Sequence, residues 1–544
     1  MGFEDGNLAV RELSSQRYKD RDEKDMARVG KRQRFELPVH VGVYHNDDVY
    51  LGGGTLVSSI DYDLESLLKA YQMDSCNAIA MADGGSATLV YGYIFCWIGA
   101  LVTAASLAEM ASMVPASSGQ YHWVSMLAPK GQAVFLSWVT GWLDLIGWWA
   151  NTAVGVYFGA TVTQGLLVLN YPDYGYERWH GTLLCFAWLV VCVLVNSVGA
   201  KLLPKIEGLI FILHVMGFFA VLIPLTYLAP HKDASYVFAT FTNDSGWSSA
   251  GLTWFIGLMG TNLPFIGYDG PCHMAEEVVN ASIAVPWCMI ATIIINGTLG
   301  FAIVVAFLFC IGDVDAALSS ATGYSYIEVF YAATNSHAGA SVMAAIPAAL
   351  VICASFGFLA SSSRLTWAFA RDKGVPFSDF FAHVSHLKIT GTALPIRAVV
   401  LCAVITGIIC IINIPSSAAF NAMISLTTAG LFASYEIAIV LMFLKKIKGE
   451  PVNYGPWRLG RWGIPINVAA ISFLTIAIFF SFFPQGLPVT PVNMNWSAVV
   501  FSGEFFLGLG WYLIYGRKVY NGPIIEVGAG AVSAEEQFTT SSQE

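Results

Sequence analysis

The stretch FIGYDGPCHMAEEV, Phe265 to Val278, sets an Asp, a His and two Glu beside a Gly-Pro pair in a chain that is otherwise strongly apolar. Pro264, just ahead of it, removes a backbone donor and disfavours helix in the residue before, so a helix beginning near Gly251 should stop near Leu263. Gly267 adds backbone freedom directly afterwards. Asp269 is then a good N-cap, and Gly270-Pro271 suits a first helical turn. PFIGY, residues 264–268, therefore reads as an unwound break between two half-helices. At membrane depth such a break is tolerated only where it is buried in protein or lines a cavity.

The second half-helix should carry a polar face. Asp269, His273 and Glu276 are spaced four and three apart, which puts them on one side, with Glu277 at the edge. Asp269 is a candidate substrate contact, and Glu276 and Glu277 are candidates for proton coupling or gating. The competing readings are a plain cap for Asp269 and a solvated helix end for the two Glu. His273 is read as a packing residue rather than a metal ligand.

The rest of the chain supplies the membrane. Of 544 residues, 56% are hydrophobic and 12% charged, with a mean hydropathy of +0.61; soluble domains carry about a quarter charged residues. Apolar runs long enough to span recur over 87–113, 133–168, 181–200, 206–229, 251–278, 285–312, 341–370, 395–414, 418–444, 463–483 and 496–515, eleven in all. The fold class is all-α and polytopic. The ten cysteines are scattered and form no C-x-x-C pair, which reads as free thiols packed as small apolar groups. The polar first forty residues do not read as a cleavable signal peptide.

Basic residues fall on alternate loops: Lys201 and Lys205; Arg371, Lys373 and Lys388; Lys445 to Arg461; Arg517 and Lys518. The loops between, 313–340, 415–418 and 484–495, hold no Lys or Arg. The positive-inside rule puts the first set, and the C-terminus, in the cytoplasm. Asn243-Asp244-Ser245 then lies outside and Asn243 is a glycosylation candidate, while the sequon at Asn280 lies on the wrong side. The basic N-terminus, Lys19 to Arg34, also looks cytoplasmic, and eleven spans cannot join two cytoplasmic ends. A twelfth span is owed between Phe35 and Gly84. The best apolar run there, Val49 to Ile60, is a dozen residues with three glycines, flanked by Asp47, Asp48, Asp61 and Asp63. At roughly 2.5–3.5 kcal/mol for each central Asp it will not span. Leu64 to Met73 is expected to be at most a short amphipathic helix.

Other polar residues lie within spans. In GWLDLIGWWANTA, Asp144, Trp148 and Asn151 share one helix face, and Asp144 is a candidate for proton coupling because intramembrane acids are rare and usually face a cavity; packing against a hydroxyl is the alternative. Phe265 and Tyr268, with Trp148 or Trp149, are candidates to box an ammonium by cation–π attraction. Glu109 reads as structural, and Glu436 and Glu504 are further buried acids.

Three motifs together resemble one family, the amino acid–polyamine–organocation permeases. SLAEMASMVPASSGQYHWVSMLAP, Ser106 to Pro129, looks like its second-span exit; FIGYDGPCHMAEEVVNASIAVP its sixth span; ASSSRLTWAFARDKGVPFSDFFAHV, Ala360 to Val384, its eighth-span exit. D-G-P-x-H-M-x-E-E, FATFTNDSGW (Phe238 to Trp247) and ADGGSATLVYGYIF (Ala82 to Phe95) are most similar to the fungal amino acid, γ-aminobutyrate and choline permeases. The resemblance implies a leucine-transporter-like inverted-repeat fold of twelve spans with a mid-membrane site at discontinuous helices. It implies a proton-coupled carrier of a small amine or amino acid in the plasma or vacuolar membrane. It also implies that Gly267, Ser355 and Phe356 line the substrate site.

The same resemblance implies a cytoplasmic tail over 1–34, an aberrant segment over 35–84 in place of the first span, a permease domain over 85–518 and a cytoplasmic tail over 519–544. A read-through intron or shifted frame would produce such a segment. So would real loss of the span in a non-transporting sensor or inactive paralogue. No H-E-x-x-H, P-loop or nucleophile elbow points to an enzyme. The expected partners are the lipid bilayer, the substrate and a coupling proton, with no cofactor, metal or nucleic acid.

Overall fold

The computed structural model describes residues 65–200, 203–243, 245–387, 392–414, 419–484, 486–490 and 494–524, with side chains from Met81 onward apart from those of Ala82, Asp83, Pro204, Glu207, His386, Leu387, Thr392 and Ala419. The tail over 1–34 and the segment 35–64, including Val49 to Ile60, lie outside these, as do Lys388 and the residues after 524. Helix α1 runs Glu65–Met113, with non-helical φ/ψ inside it at Gly85 (φ 77°, ψ −177°). The expected short helix ending at Met73 therefore does not end there; the chain stays helical up to Gly85 and resumes as a membrane span.

That kink is held from outside. Ala87 N–H donates to Thr240 O at 3.1 Å, Thr242 Oγ1 donates to Met81 O at 3.1 Å, and Ser86 Oγ donates to Tyr236 O. A Cβ on Gly85 would lie 2.6 Å from Thr240 O, so both its φ and its surroundings call for glycine.

The helices used below follow in order: α2 Gly119–Leu127, α3 Ala133–Asn170, α4 Arg178–Ser197, α5 Leu203–Leu228, α6 Ala234–Ala239 and α7 Ala250–Asn262. After the break come α8 Gly270–His273, α9 Ala281–Cys310, α10 Val314–Leu318, α11 Ser325–Thr334, α12 His337–Arg371 and α13 Ser378–Phe381. A two-stranded antiparallel ladder, β1 Ser385–Leu387 with β2 Thr392–Leu394, is the exception to an all-α architecture. Helices α14 Ile396–Ile411, α15 Ala419–Lys448, α16 Gly463–Ser481 and α17 Ser497–Trp511 complete the bundle.

Among the described residues, nine helices are long and apolar enough to cross a membrane, against eleven expected. The difference has a physical reason. The expected span at 251–278 is broken, and α14 is 16 residues, short of the roughly 20 that cross hydrocarbon.

The centre of the bundle is α3, which packs on α12, α15 and α2. Where α3 crosses α15, a Cβ on Gly430 would sit 2.7 Å from Gly147 N and 2.9 Å from Leu143 O. Two glycines let the backbones touch, the device membrane helices use in place of a hydrophobic drive. At one end of the bundle, Glu109 of α1 accepts from Lys446 Nζ of α15 and from Leu459 N–H at 3.0 Å. Lys446 also donates to Asn467 Oδ1 of α16 at 3.0 Å, and Asn467 Nδ2 to Ser106 Oγ at 3.1 Å. Glu109 is thus structural, as expected, tying three helices through one buried charge pair.

Candidate functional site

The broken helix follows the prolines and glycines closely. Helix α7 ends at Asn262, a single 3-10 turn spans Leu263–Phe265, Ile266 is extended (φ −105°, ψ 145°) and Gly267 has φ 87°. Helix α8 then begins with Gly270-Pro271 in its first turn. It is shorter than the sequence suggested: it stops at His273, and Glu276 and Glu277 lie in a separate 3-10 turn, Ala275–Glu277. Asn280 in the left-handed region (φ 57°) precedes α9.

Asp269 occupies the N-cap position but makes no capping hydrogen bond. Its carboxylate turns instead to three other helices. Oδ2 accepts from Gln120 Nε2 of α2 at 2.6 Å, Trp148 Nε1 of α3 at 3.2 Å and His273 Nε2 at 3.1 Å; Oδ1 accepts from Tyr435 OH of α15. A carboxylate has about four acceptor positions, so this one is saturated. All five side chains are buried. Asp269 thus does not cap the helix as its position suggests; its carboxylate is taken up by side chains instead.

Asp144 joins the same centre. Its Oδ2 lies 3.9 Å from His273 Nε2, and Ser434 Oγ lies 3.3 Å from its Oδ1. Among the described residues Oδ2 receives no hydrogen bond. The other ring nitrogen, His273 Nδ1, meets Ser117 O at 3.1 Å, and the ring stands edge-on to Trp148 with centroids 5.5 Å apart. His273 is therefore at the centre of a polar cluster, not a packing residue. Asp144, Asp269 and His273 each present an atom within 4.8 Å of the others.

Glu276 and Glu277 are not solvated; each is paired with an arginine of α12. Arg371 grips Glu276 with two N–H groups at 3.1 and 3.2 Å and lies over the Trp367 ring at 4.5 Å. Arg364 Nε donates to Glu277 Oε1 at 2.9 Å. Ser117 N–H also donates to Glu276 Oε1 at 3.3 Å. The backbone of Ser117 thus touches both His273 and Glu276, which keeps the expected polar strip together although the helix does not.

The remaining candidates divide. Tyr268 packs on Tyr435 (centroids 5.4 Å) and Phe265 on Tyr93 of α1 (4.9 Å). Gly270 approaches Trp148 so closely that a Cβ would lie 3.4 Å from Cη2. Asn151, one turn along α3 from Trp148, is fully buried with neither amide atom partnered among the described residues. Trp149 Nε1 donates to Thr366 Oγ1 at 3.2 Å and so turns to α12. Ser355 Oγ donates to Val351 O at 2.9 Å and abuts Gly155, while Phe356 O accepts from Asn196 Nδ2 at 2.9 Å; these contacts are with α12 itself, α3 and α4. Glu436 is half-buried against Thr475, and Glu504 is also half-buried. Asn243 is exposed, but its Nδ2 donates to Trp247 O at 2.7 Å and its Oδ1 accepts from Ser245 and Thr253, so the side chain organises its own loop.

Sequence reasoning missed Gln120, Tyr435, Ser434 and Ser117. Gln120 sits in the small-residue turn ASSGQ, where a lone amide signals nothing by itself. Tyr435 and Ser434 are mid-span residues with no periodic signature, brought to the site by the Gly147–Gly430 crossing.

Residues 66–503 match the amino acid permease family. A Macrophomina phaseolina protein named for amino acid/polyamine transport is 31% identical over 77% of this chain and 92% of its own length. The choline transporter of Saccharomyces cerevisiae is 30% identical over 81% of this chain and 77% of its own. The amino-acid permease BAT1 of Arabidopsis thaliana is 29% identical over 82% and 88%. A match over most of the chain, with a broken helix where the motifs placed it, makes this chain a member of the amino acid permease family, and its function is membrane transport.

Proposed function

We propose that the protein is a proton-coupled secondary transporter of a small amine or amino acid, working by alternating access around the break at 264–268. The observation that carries the reading is the saturated Asp269 carboxylate beside the break. Four protein donors fill it, so it serves to hold Gln120, Trp148, His273 and Tyr435 in place, and the substrate is recognised by what they leave open. Asn151 offers an unpartnered amide, Phe265, Tyr268 and Trp148 offer aromatic faces for an ammonium, and Gly267 lets the substrate approach the backbone. Ser355, which abuts Gly155 of α3, and its neighbour Phe356 are taken as site-lining on the family likeness alone. Asp144 is the acid from which coupling is drawn, and Glu276 and Glu277, held by Arg371 and Arg364, are the gate candidates. The charge asymmetry of the loops puts the C-terminus in the cytoplasm; the family likeness makes the bilayer the plasma membrane, with the vacuolar membrane as the alternative.

The test is uptake of labelled choline, γ-aminobutyrate and a panel of amino acids in permease-deficient cells. Saturable uptake of one of them, lost in Asp269→Asn, is the expected result. Saturable uptake with unchanged kinetics in Asp269→Asn removes the site assignment, and no saturable uptake of any of them removes the substrate class.

A further inference from the structure

The partners of His273 fix how many protons the centre holds. Nδ1 faces Ser117 O, which can only accept, so Nδ1 carries a hydrogen. Nε2 faces Asp269 Oδ2, an oxygen that already accepts from Gln120 and Trp148. One further proton must lie between Nε2 and Oδ2, since two lone pairs at 3.1 Å would otherwise meet. A second carboxylate oxygen, Asp144 Oδ2, lies 3.9 Å from the same nitrogen without a hydrogen bond among the described residues. The arrangement is a titratable nitrogen held between two buried acids, one saturated and one short of a donor.

We propose that His273, set between Asp269 and Asp144, is the proton-binding group of this transporter, an assignment that rests on the transport reading above. In the loaded state the imidazolium faces the Asp269 carboxylate. For release, the ring swings Nε2 away from Asp269 Oδ2 towards Asp144 Oδ2, so that no lone pair is left facing Asp269; there the Nε2–H bond breaks, an O–H bond forms on Asp144, and a cation and an anion become two neutral groups. The remaining charged and titratable groups around the ring support this assignment by being engaged elsewhere. Glu276 is held by Arg371 and Glu277 by Arg364, Tyr435 donates to the other oxygen of Asp269, and His122 of α2 meets Ser118 Oγ at 2.9 Å. A metal ion is disfavoured at the same three residues, because a protonated Nε2 has no lone pair to give.

The experiment uses the full chain, purified and reconstituted in liposomes, with choline, γ-aminobutyrate and amino acids as probes. In the wild type an inward proton gradient drives accumulation and a sodium gradient does not. In His273→Gln, whatever exchange of labelled for unlabelled substrate remains is no longer stimulated by the proton gradient. Retained proton-driven accumulation in His273→Gln overturns the proposal, as does accumulation driven by sodium alone. A second measurement needs no substrate. The edge-on Trp148 is quenched when the imidazole is charged, so its emission, taken as wild type minus Trp148→Phe, should titrate with pH and stop titrating in His273→Gln. Asp144→Asn, which keeps the size and the Ser434 contact, should move that midpoint down by at least about one pH unit. A titration unaltered in both variants overturns the proposal even if no probe is transported, and failure of transport with an intact titration overturns only the transport reading.

Discussion

Gly119 lies so close to His273 that a Cβ on it would sit 3.0 Å from the imidazole Cε1, and its backbone is left-handed at φ 52°. Glycine is required there twice over, by conformation and by space. Gly119→Ala should therefore push the ring away from Asp269 and lower stability by about 1–3 kcal/mol. A melting experiment in detergent checks the stability, and the Trp148 titration checks the ring; an unchanged titration in a stable variant would show that the ring has room to spare.

The Gly147–Gly430 crossing predicts a loss of a different kind. Gly430→Val adds atoms where the α3 backbone already lies at 2.7 Å, so the two helices must part. The cost should be about 1–3 kcal/mol, with lower yield of folded protein in detergent. Gly131→Ala, at a position with no atom within 4 Å of a Cβ, is the control and should leave yield unchanged.

The buried pair of Glu276 and Arg371 gives a non-additive prediction. Removing one partner strands a charge, at about 3–5 kcal/mol. Glu276→Gln should thus melt well below the wild type, and Glu276→Gln with Arg371→Met should recover much of the loss. Equal melting of the single and double variants would mean that the charge finds another partner.

Asn151 should separate stability from transport. Its amide has no described partner, so Asn151→Leu removes two unsatisfied buried groups and should leave the melting temperature equal or higher. Uptake should fall about tenfold or more if the amide serves the substrate. A variant that melts early while transporting normally would assign Asn151 to the fold instead.

The break itself was legible because Pro264, Gly267 and Pro271 act locally, and local chemistry is what a sequence displays. The membrane spans were legible for the same reason, through long apolar runs. What was not legible came from between helices. Tyr435 meets Asp269 across 166 positions of sequence, and Gln120 across 149, with no pattern in either segment to announce it. The length of α8 was overestimated because the spacing of Asp269, His273 and Glu276 fits a helix, while the backbone turns after His273 to bring Glu276 to Arg371. In the sequence Arg371 shows only as a loop cation; that it reaches back to a buried acid is a fact of packing. The two glycines at the α3–α15 crossing looked ordinary in a chain holding 51 of them.

On the proposed reading the carrier would make its journey back with nothing aboard, and a bare carboxylate crossing between two faces of a membrane would be a heavy passenger. The four donors on Asp269 remove that difficulty in advance. They act as ballast that stays on board whether or not cargo is present, so the empty protein has no naked charge to hide. On the proposed reading the same filling would keep substrate from simply settling on the acid, and selectivity would come from the groups around it rather than from its charge.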